Sequence, residues 1–273
     1  MITPVLVLSI LGLIFGLGLA FASVKFAVQE DPRVAQILNS LPGINCGACG
    51  FAGCHALAES VAGGKAPADT CPVGGSESAE KIAAILGVAV GKKVKKVAIV
   101  HCGAKYEQRK KKSRYLGVKT CMAANNLSGG ENACMYSCLG YGDCDKACPF
   151  GAIEMVDGLP KIIPSKCTAC GICVKTCPRK IISLEGFDKE KGTVVIACSS
   201  LDKAAEVRKI CPVGCIACKI CEKNSPDGVF EVADNLARIR YKKATAQTNW
   251  DICIEKCPNK TIVKIKQDVS YEL

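Results

Sequence analysis

The chain has 273 residues, 21 of them cysteine, with a net charge of +11 and aromatic residues at only 5%. It is several times longer than the secreted mini-domains in which such a cysteine density means a disulfide scaffold, and too poor in aromatics for a large aromatic core. Most cysteines fall in tight C-x2-C and C-x3-C-P groups, which suit ligation around a small inorganic centre better than pairwise cross-links.

Residues Pro4 to Val24 carry no charge, and about 21 residues at a rise of about 1.5 Å span ~31 Å, roughly one hydrocarbon core. A membrane-crossing helix is expected here. Ala20-Phe21-Ala22 before Ser23 imitates the cleavage site of a signal peptide, but no basic region precedes the apolar stretch. Lys25 and Arg33 follow it while Met1 to Thr3 have uncharged side chains, so the C-terminal bulk is expected in the cytoplasm, on a single pass through the cytoplasmic membrane. That compartment also keeps thiols reduced. Gly12, Gly16 and Ala20 form a small-residue face against which another membrane helix could pack, although such residues are common in membrane helices without any interface.

Asp31-Pro32 reads as N-cap and first residue of a helix to about Ser40, and Ser76 to Leu86 as an amphipathic helix with Ile82, Ile85 and Leu86 on one face. Val97 to Val100 and Thr193 to Ile196 are strand-like runs that precede Cys102 and Cys198, and they are expected to pair in one small sheet.

The first cysteine group is Cys46-Gly-Ala-Cys49, Cys54 and Cys71-Pro72. Four thiolates close one cubane, with glycines that let the backbone bend around it; a four-thiolate zinc site is the structural alternative. The second group, Cys167, Cys170, Cys173 and Cys177-Pro178, reproduces the bacterial ferredoxin run, whose fourth cysteine ligates the other cluster of a pair. Its mate is Cys138, Cys144 and Cys148-Pro149, with Tyr141 where the middle cysteine belongs. The nearest substitute is Cys134, which assigns one cluster to Cys134, Cys138, Cys144 and Cys177 and the other to Cys148, Cys167, Cys170 and Cys173. The third group is the same unit in decay: Cys215, Cys218, Cys221 and Cys257 form a full set, whereas Ser225, Gln247, Trp250 and Cys253 cannot hold a cubane. Of the five cysteines left, Cys102, Cys121, Cys198 and Cys211 either make a further cluster or are buried free thiols, and Cys253 is unassigned. The expected count is four [4Fe–4S] clusters, at least three, and five if that last set closes.

These segments carry a resemblance over nearly the whole chain. The apolar N-terminus, Cys46-Gly-Ala-Cys49-Gly-Phe-Ala-Gly-Cys54, Cys138-Leu-Gly-Tyr-Gly-Asp-Cys144, Cys148-Pro-Phe-Gly-Ala-Ile and the run from Cys167 to Cys177 resemble the B subunits of the Rnf complex, a membrane ferredoxin:NAD oxidoreductase that moves Na+ or H+. The resemblance implies an electron-transfer subunit that accepts electrons from reduced ferredoxin and passes them, with other subunits of a membrane redox complex, toward NAD. No G-x-G-x-x-G or Walker A loop is present, so NAD chemistry is expected on a partner. With His55 and His101 as its only histidines, the chain offers no histidine-based catalytic set. The single span lacks an ionisable residue, so ion coupling is expected elsewhere in the complex.

From Lys92 to Arg114 there are ten Lys or Arg against one acid, Glu107, a dock for an acidic ferredoxin or a lipid-facing surface. Charge and C-x2-C pairs alone would also admit a zinc-bearing nucleic-acid binder, against which the anchor and the crossed ferredoxin pattern argue; neither nucleic acid nor NAD is an expected ligand. Two further alternatives are an iron–sulfur enzyme with an open cluster at the decayed unit and a polyferredoxin serving another membrane oxidoreductase. The expected fold is α+β: a transmembrane anchor (1–26), a small helical four-Cys domain (29–90), a basic linker and strand region (91–132), a two-cluster ferredoxin-like domain (133–190) and a partly degraded one with one cluster (191–273).

Overall fold

The computed structural model describes residues 2–26, 31–91, 94–188, 192–225, 227–245 and 248–266; Met1, Lys92, Lys93 and Gln247 lie outside them. Helix α1 (Ile2–Lys25) is uncharged up to its last residue, and an 18-residue stretch within Pro4–Lys25 has a mean hydropathy of 2.6 with none of it buried against the rest of the chain. It is long and apolar enough to cross a membrane.

Three helices follow: α2 (Pro32–Ser40), α3 (Cys54–Ala62) and α4 (Gly75–Leu86). Asp31 caps α2 by accepting from the Arg33 backbone N–H at 2.9 Å, with Pro32 in the first turn where a missing N–H costs nothing. Val34 and Ile37 of α2 pack on Leu57, Ala58 and Val61 of α3 and on Ile82 and Ala83 of α4. Cys49, Cys54 and Cys71 border this core.

The remainder is one topology used twice. The first unit runs β1 (Lys96–Val100), α5 (Cys121–Asn126), α6 (Asp143–Lys146), β2 (Ile153–Val156), β3 (Leu159–Ile162), α7 (Ile172–Thr176) and β4 (Ile182–Gly186). The second runs β5 (Thr193–Ile196), α8 (Ala204–Ile210), α9 (Ile220–Lys223), β6 (Phe230–Ala233), β7 (Leu236–Ile239), α10 (Trp250–Glu255) and β8 (Ile262–Ile265). In each, the first strand pairs antiparallel with the last, Lys96 opposite Gly186 and Thr193 opposite Ile265, while the middle strands form a hairpin. Both hairpin turns are two residues long with positive φ at each, Asp157-Gly158 and Asp234-Asn235, the conformation that matches strand twist.

The expected pairing of Val97–Val100 with Thr193–Ile196 is replaced by these separate sheets. Each strand pairs within its own unit, and the two sheets meet face to face through Val97, Ile99, Val195, Ala197, Val263 and Ile265. Just beyond the strands the units are stitched directly. The Gly103 N–H donates to Ala197 O at 2.9 Å, and His101 bridges Ile196 O (2.9 Å) and Ser183 Oγ (2.8 Å). The stretch 91–132, expected as a basic linker and strand region, contributes β1, one of the two strands of the first unit's β1–β4 sheet.

Candidate metal centres

All 21 cysteines are free thiols, and 16 of them line four recesses in sets of four. Of the first expected set, Cys49, Cys54 and Cys71 border the core of the three helices, and Cys46 precedes Cys49 in the same loop. The Asn45 carboxamide accepts from the Cys54 N–H at 2.8 Å and fixes the start of α3. The second set, Cys148, Cys167, Cys170 and Cys173, lines one recess between α7 and the β2–β3 hairpin. Cys215, Cys218, Cys221 and Cys257 line the corresponding recess of the second unit and form the fifth set.

The third and fourth sets differ from expectation by an exchange of two residues. Cys134 does not join Cys138, Cys144 and Cys177. The thiol beside those three is Cys121, at the start of α5, while Cys134 lines a recess with Cys102, Cys198 and Cys211. Local hydrogen bonds explain the exchange. Asp143 of α6 accepts from the Met122 N–H at 3.1 Å and draws the N-terminus of α5 to the ferredoxin run. The segment 131–133 is clamped to 110–112 by Lys112 N to Glu131 O (2.8 Å) and Ala133 N to Lys110 O (2.7 Å), which points Cys134 the other way. Tyr141, in the place of the lost cysteine, packs on Tyr115 with ring centroids 5.9 Å apart.

The fourth set lies on the seam between the units. Cys102 follows β1 by two residues and Cys198 follows β5 by two, and each unit adds one more thiol from the segment after it, Cys134 or Cys211. The sets form a row. Cys49 and Cys170 border one surface recess, and Cys173 acts electrostatically on Cys144. The Cys138 N–H donates to Cys102 Sγ at 3.4 Å, and the Cys215 backbone amide faces the Cys198 thiol.

The local backbone is built for these sets. Ala169 and Ala217, at matching places in Cys167–Cys170 and Cys215–Cys218, are held at φ 56° and 51°, a left-handed conformation that L-residues adopt only when their surroundings demand it. Amide N–H groups aim at sulfur: Gly74 at Cys71 (3.3 Å), Ala98 at Cys167 (3.4 Å), Ala152 at Cys148 (3.4 Å) and Thr261 at Cys257 (3.3 Å).

Burial pushes the thiols up, Cys134 to about 11 and Cys144, Cys173, Cys198 and Cys221 to about 12. Four thiolates cannot share such a site without a positive centre among them. Among the described residues, no three His, Cys, Asp or Glu side chains stand close enough to hold a single metal ion. Zinc wants four sulfurs at about 2.3 Å from one point; these thiols instead line four separate recesses, four to each. Donor chemistry, amides on sulfur and spacing all fit [4Fe–4S] clusters.

The decayed position is filled by protein. Trp250 packs edge-on against Phe230 (5.7 Å, 68°), and Cys253, 1% exposed, turns its Sγ toward Cys221 O at 3.7 Å. The place an open catalytic cluster would need is therefore aromatic core. His55 lies at the surface beside Glu59 (3.8 Å), away from a ligand role. Arg109, which reads in the sequence as part of the exposed basic stretch, is buried, and Lys111 of that stretch pairs with Glu131 at 3.2 Å.

Ferredoxin-like units that gather cysteine thiols in fours define an iron–sulfur protein. Residues 41–73 match the FeS family, an Fe-S cluster domain, and residues 160–183 match Fer4, the 4Fe-4S binding domain. The chain is 45% identical over 99% of its length to the B subunit of the Na(+)-translocating ferredoxin:NAD(+) oxidoreductase complex of Acetobacterium woodii, covering 79% of that protein. It is 39% identical to the B subunit of the ion-translocating oxidoreductase complex of Methanosarcina acetivorans (96% of this chain, 97% of the relative). It is 40% identical to the B subunit of the proton-translocating ferredoxin:NAD(+) oxidoreductase complex of Clostridium ljungdahlii (95% and 90%). The chain belongs to the family of B subunits of ion-translocating ferredoxin:NAD(+) oxidoreductase complexes.

Proposed function

We propose that this protein is a membrane-anchored wire of five [4Fe–4S] clusters, ligated by Cys46, Cys49, Cys54 and Cys71; by Cys148, Cys167, Cys170 and Cys173; by Cys121, Cys138, Cys144 and Cys177; by Cys102, Cys134, Cys198 and Cys211; and by Cys215, Cys218, Cys221 and Cys257. The observation that carries the reading is the row itself, in which each set neighbours the next. When bound, such clusters supply one-electron transfer between neighbouring sites. The thiolates hold them, the backbone amides of Gly74, Ala98, Ala152 and Thr261 stabilise negative charge on sulfur, and the apolar cores around the sets exclude water. Iron and acid-labile sulfide on anaerobically purified protein should each come to about twenty per chain. About sixteen would remove the seam cluster from the proposal, and zinc without sulfide would end it.

The relatives' names support ferredoxin as electron donor and NAD as final acceptor within a Na+- or H+-translocating complex, with NAD bound by another subunit. Lys25 and Arg33 flanking α1 favour cytoplasmic placement of the cluster-bearing units. The row then begins beside the membrane at the first set and ends at the fifth, where Cys218 is an exposed thiol next to exposed Lys219. Lys110, Lys112 and Arg114 remain at the surface of the first unit as a second basic area. An acidic ferredoxin docking at either should reduce the protein fast at low salt. Raising the ionic strength from about 0.01 to about 0.15 M shortens the screening length from about 30 to about 8 Å, and the second-order rate should fall about tenfold or more. A rate that ignores salt would return these lysines to lipid contact or plain solvation.

A further inference from the structure

Two arginines border the third thiol set with guanidinium groups that protein partners leave incomplete. Arg109 is 6% exposed; its Nε donates to Ala104 O and its Nη2 to Gly158 O, both at 2.8 Å. Its Nη1 is buried with no hydrogen-bond partner among the described residues, and lies against the Cys138–Gly140 loop so closely that a Cβ at Gly140 would meet it at 3.0 Å. Arg179 lines the recess of Cys121, Cys138, Cys144 and Cys177. Its Nη2 donates to Gly129 O, and its Nε is likewise buried without a partner among the described residues.

The thiols of the third set are what these cations border: Arg179 shares the recess of Cys121, Cys138, Cys144 and Cys177, and Arg109 Nη1 lies against the loop that starts at Cys138. A buried guanidinium whose other contacts are neutral carbonyls requires a counter-anion, and an N–H left unbonded inside a protein requires an acceptor. A cluster held by four thiolates is both.

Resting on the ligand sets proposed above, we propose that Arg109 and Arg179 are the built-in counter-charges of the third cluster. Their free N–H groups donate to cluster or cysteine sulfur, stabilise the added negative charge of the reduced state, and raise the potential of that site. Reduction adds one electron per cluster, taken in the test from dithionite through mediators, with no bond broken.

The experiment is an EPR-monitored redox titration of the full-length, iron-loaded protein in detergent, with R109Q, R179Q, R109K and R179K beside the parent. Each Gln variant should keep its iron and shift the signal of one cluster to lower potential. The reduction equilibrium should change at least about tenfold, which is 59 mV for one electron, while the other signals stay still. The Lys variants, which keep the charge, should stay near the parent. Gln variants with full iron and unmoved midpoints overturn the proposal and leave the arginines as braces for carbonyls. If the Gln variants lose iron, Lys variants that retain iron and parental midpoints support it, and Lys variants that also lose iron overturn it in favour of the fork's geometry. A parent without iron would sink the ligand sets instead, so the two failures are distinct.

Discussion

Cys198→Ala in the full-length chain, purified without oxygen, should carry about sixteen irons in place of about twenty, and electrons delivered at the Cys218 end should no longer reach the first set. Double substitutions decide the partition. Cys134 and Cys198 border one recess, so C134A/C198A should lose no more iron than either single variant, about four per chain. Cys121 and Cys134 border different recesses, so C121A/C134A should lose about eight. Were Cys134 a ligand with Cys138, Cys144 and Cys177, the pattern would invert: C134A/C138A would lose about four and C134A/C198A about eight. Removing a ligand at the seam matters beyond its own iron because the fourth set stands between the third and the fifth, with the Cys138 N–H on Cys102 Sγ on one side and the Cys215 amide at Cys198 on the other.

Deleting residues 1–26 should move the protein from the membrane fraction into solution while leaving its iron content unchanged. Thirteen large apolar residues of α1, from Val5 to Val24, are exposed in the isolated chain, and none packs on the cluster-bearing units. At about 0.3–0.6 kcal/mol per residue their insertion is worth roughly 4–8 kcal/mol, a partition of about three to six orders of magnitude. The helical four-Cys domain keeps its own core of Val34, Ile37, Leu57, Val61 and Ile82, which the deletion does not touch. A truncated chain that still sediments with membranes would place the attachment on the basic surface; one that loses iron would tie the anchor to cluster assembly.

Much of this architecture is written in local spacing. The cap at Asp31-Pro32, the helix ending at Leu86 and the uncharged span are each specified by residues near one another in the chain, and the tight runs Cys167–Cys173 and Cys215–Cys221 each line one recess with a more distant cysteine, Cys148 or Cys257. The exchange of Cys121 and Cys134 is different. Cys134 is four residues from Cys138 and Cys121 is seventeen, so proximity favours the wrong one; the choice is made by Asp143 and by the clamp of 110–112 on 131–133, contacts no periodicity displays. Strand pairing is equally hidden. Val97 to Val100 and Thr193 to Ile196 are buried on both faces, so neither alternates in a way that names its partner. Arg109 is a third case: within a basic run it reads as one more solvated charge, and only the approach of Ala104, Gly158 and the Cys138 loop takes it out of water. The signal for the exchange is the ligand deficit itself, since a ferredoxin run with Tyr141 in place of cysteine must recruit a fourth thiol from somewhere.

The seam between the units carries a consequence for biosynthesis. Two thiols of the fourth set, Cys102 and Cys134, emerge from the ribosome with the first unit, while Cys198 and Cys211 come with the second. On this ligand set neither half can take up that iron alone, and the site comes into being only after the C-terminal half has folded and docked through Gly103 and His101. Maturation at the seam therefore waits for the second unit: a chain truncated after the first unit would keep the thiols of the first three sets but only two of the four at the seam, and would stay electrically incomplete.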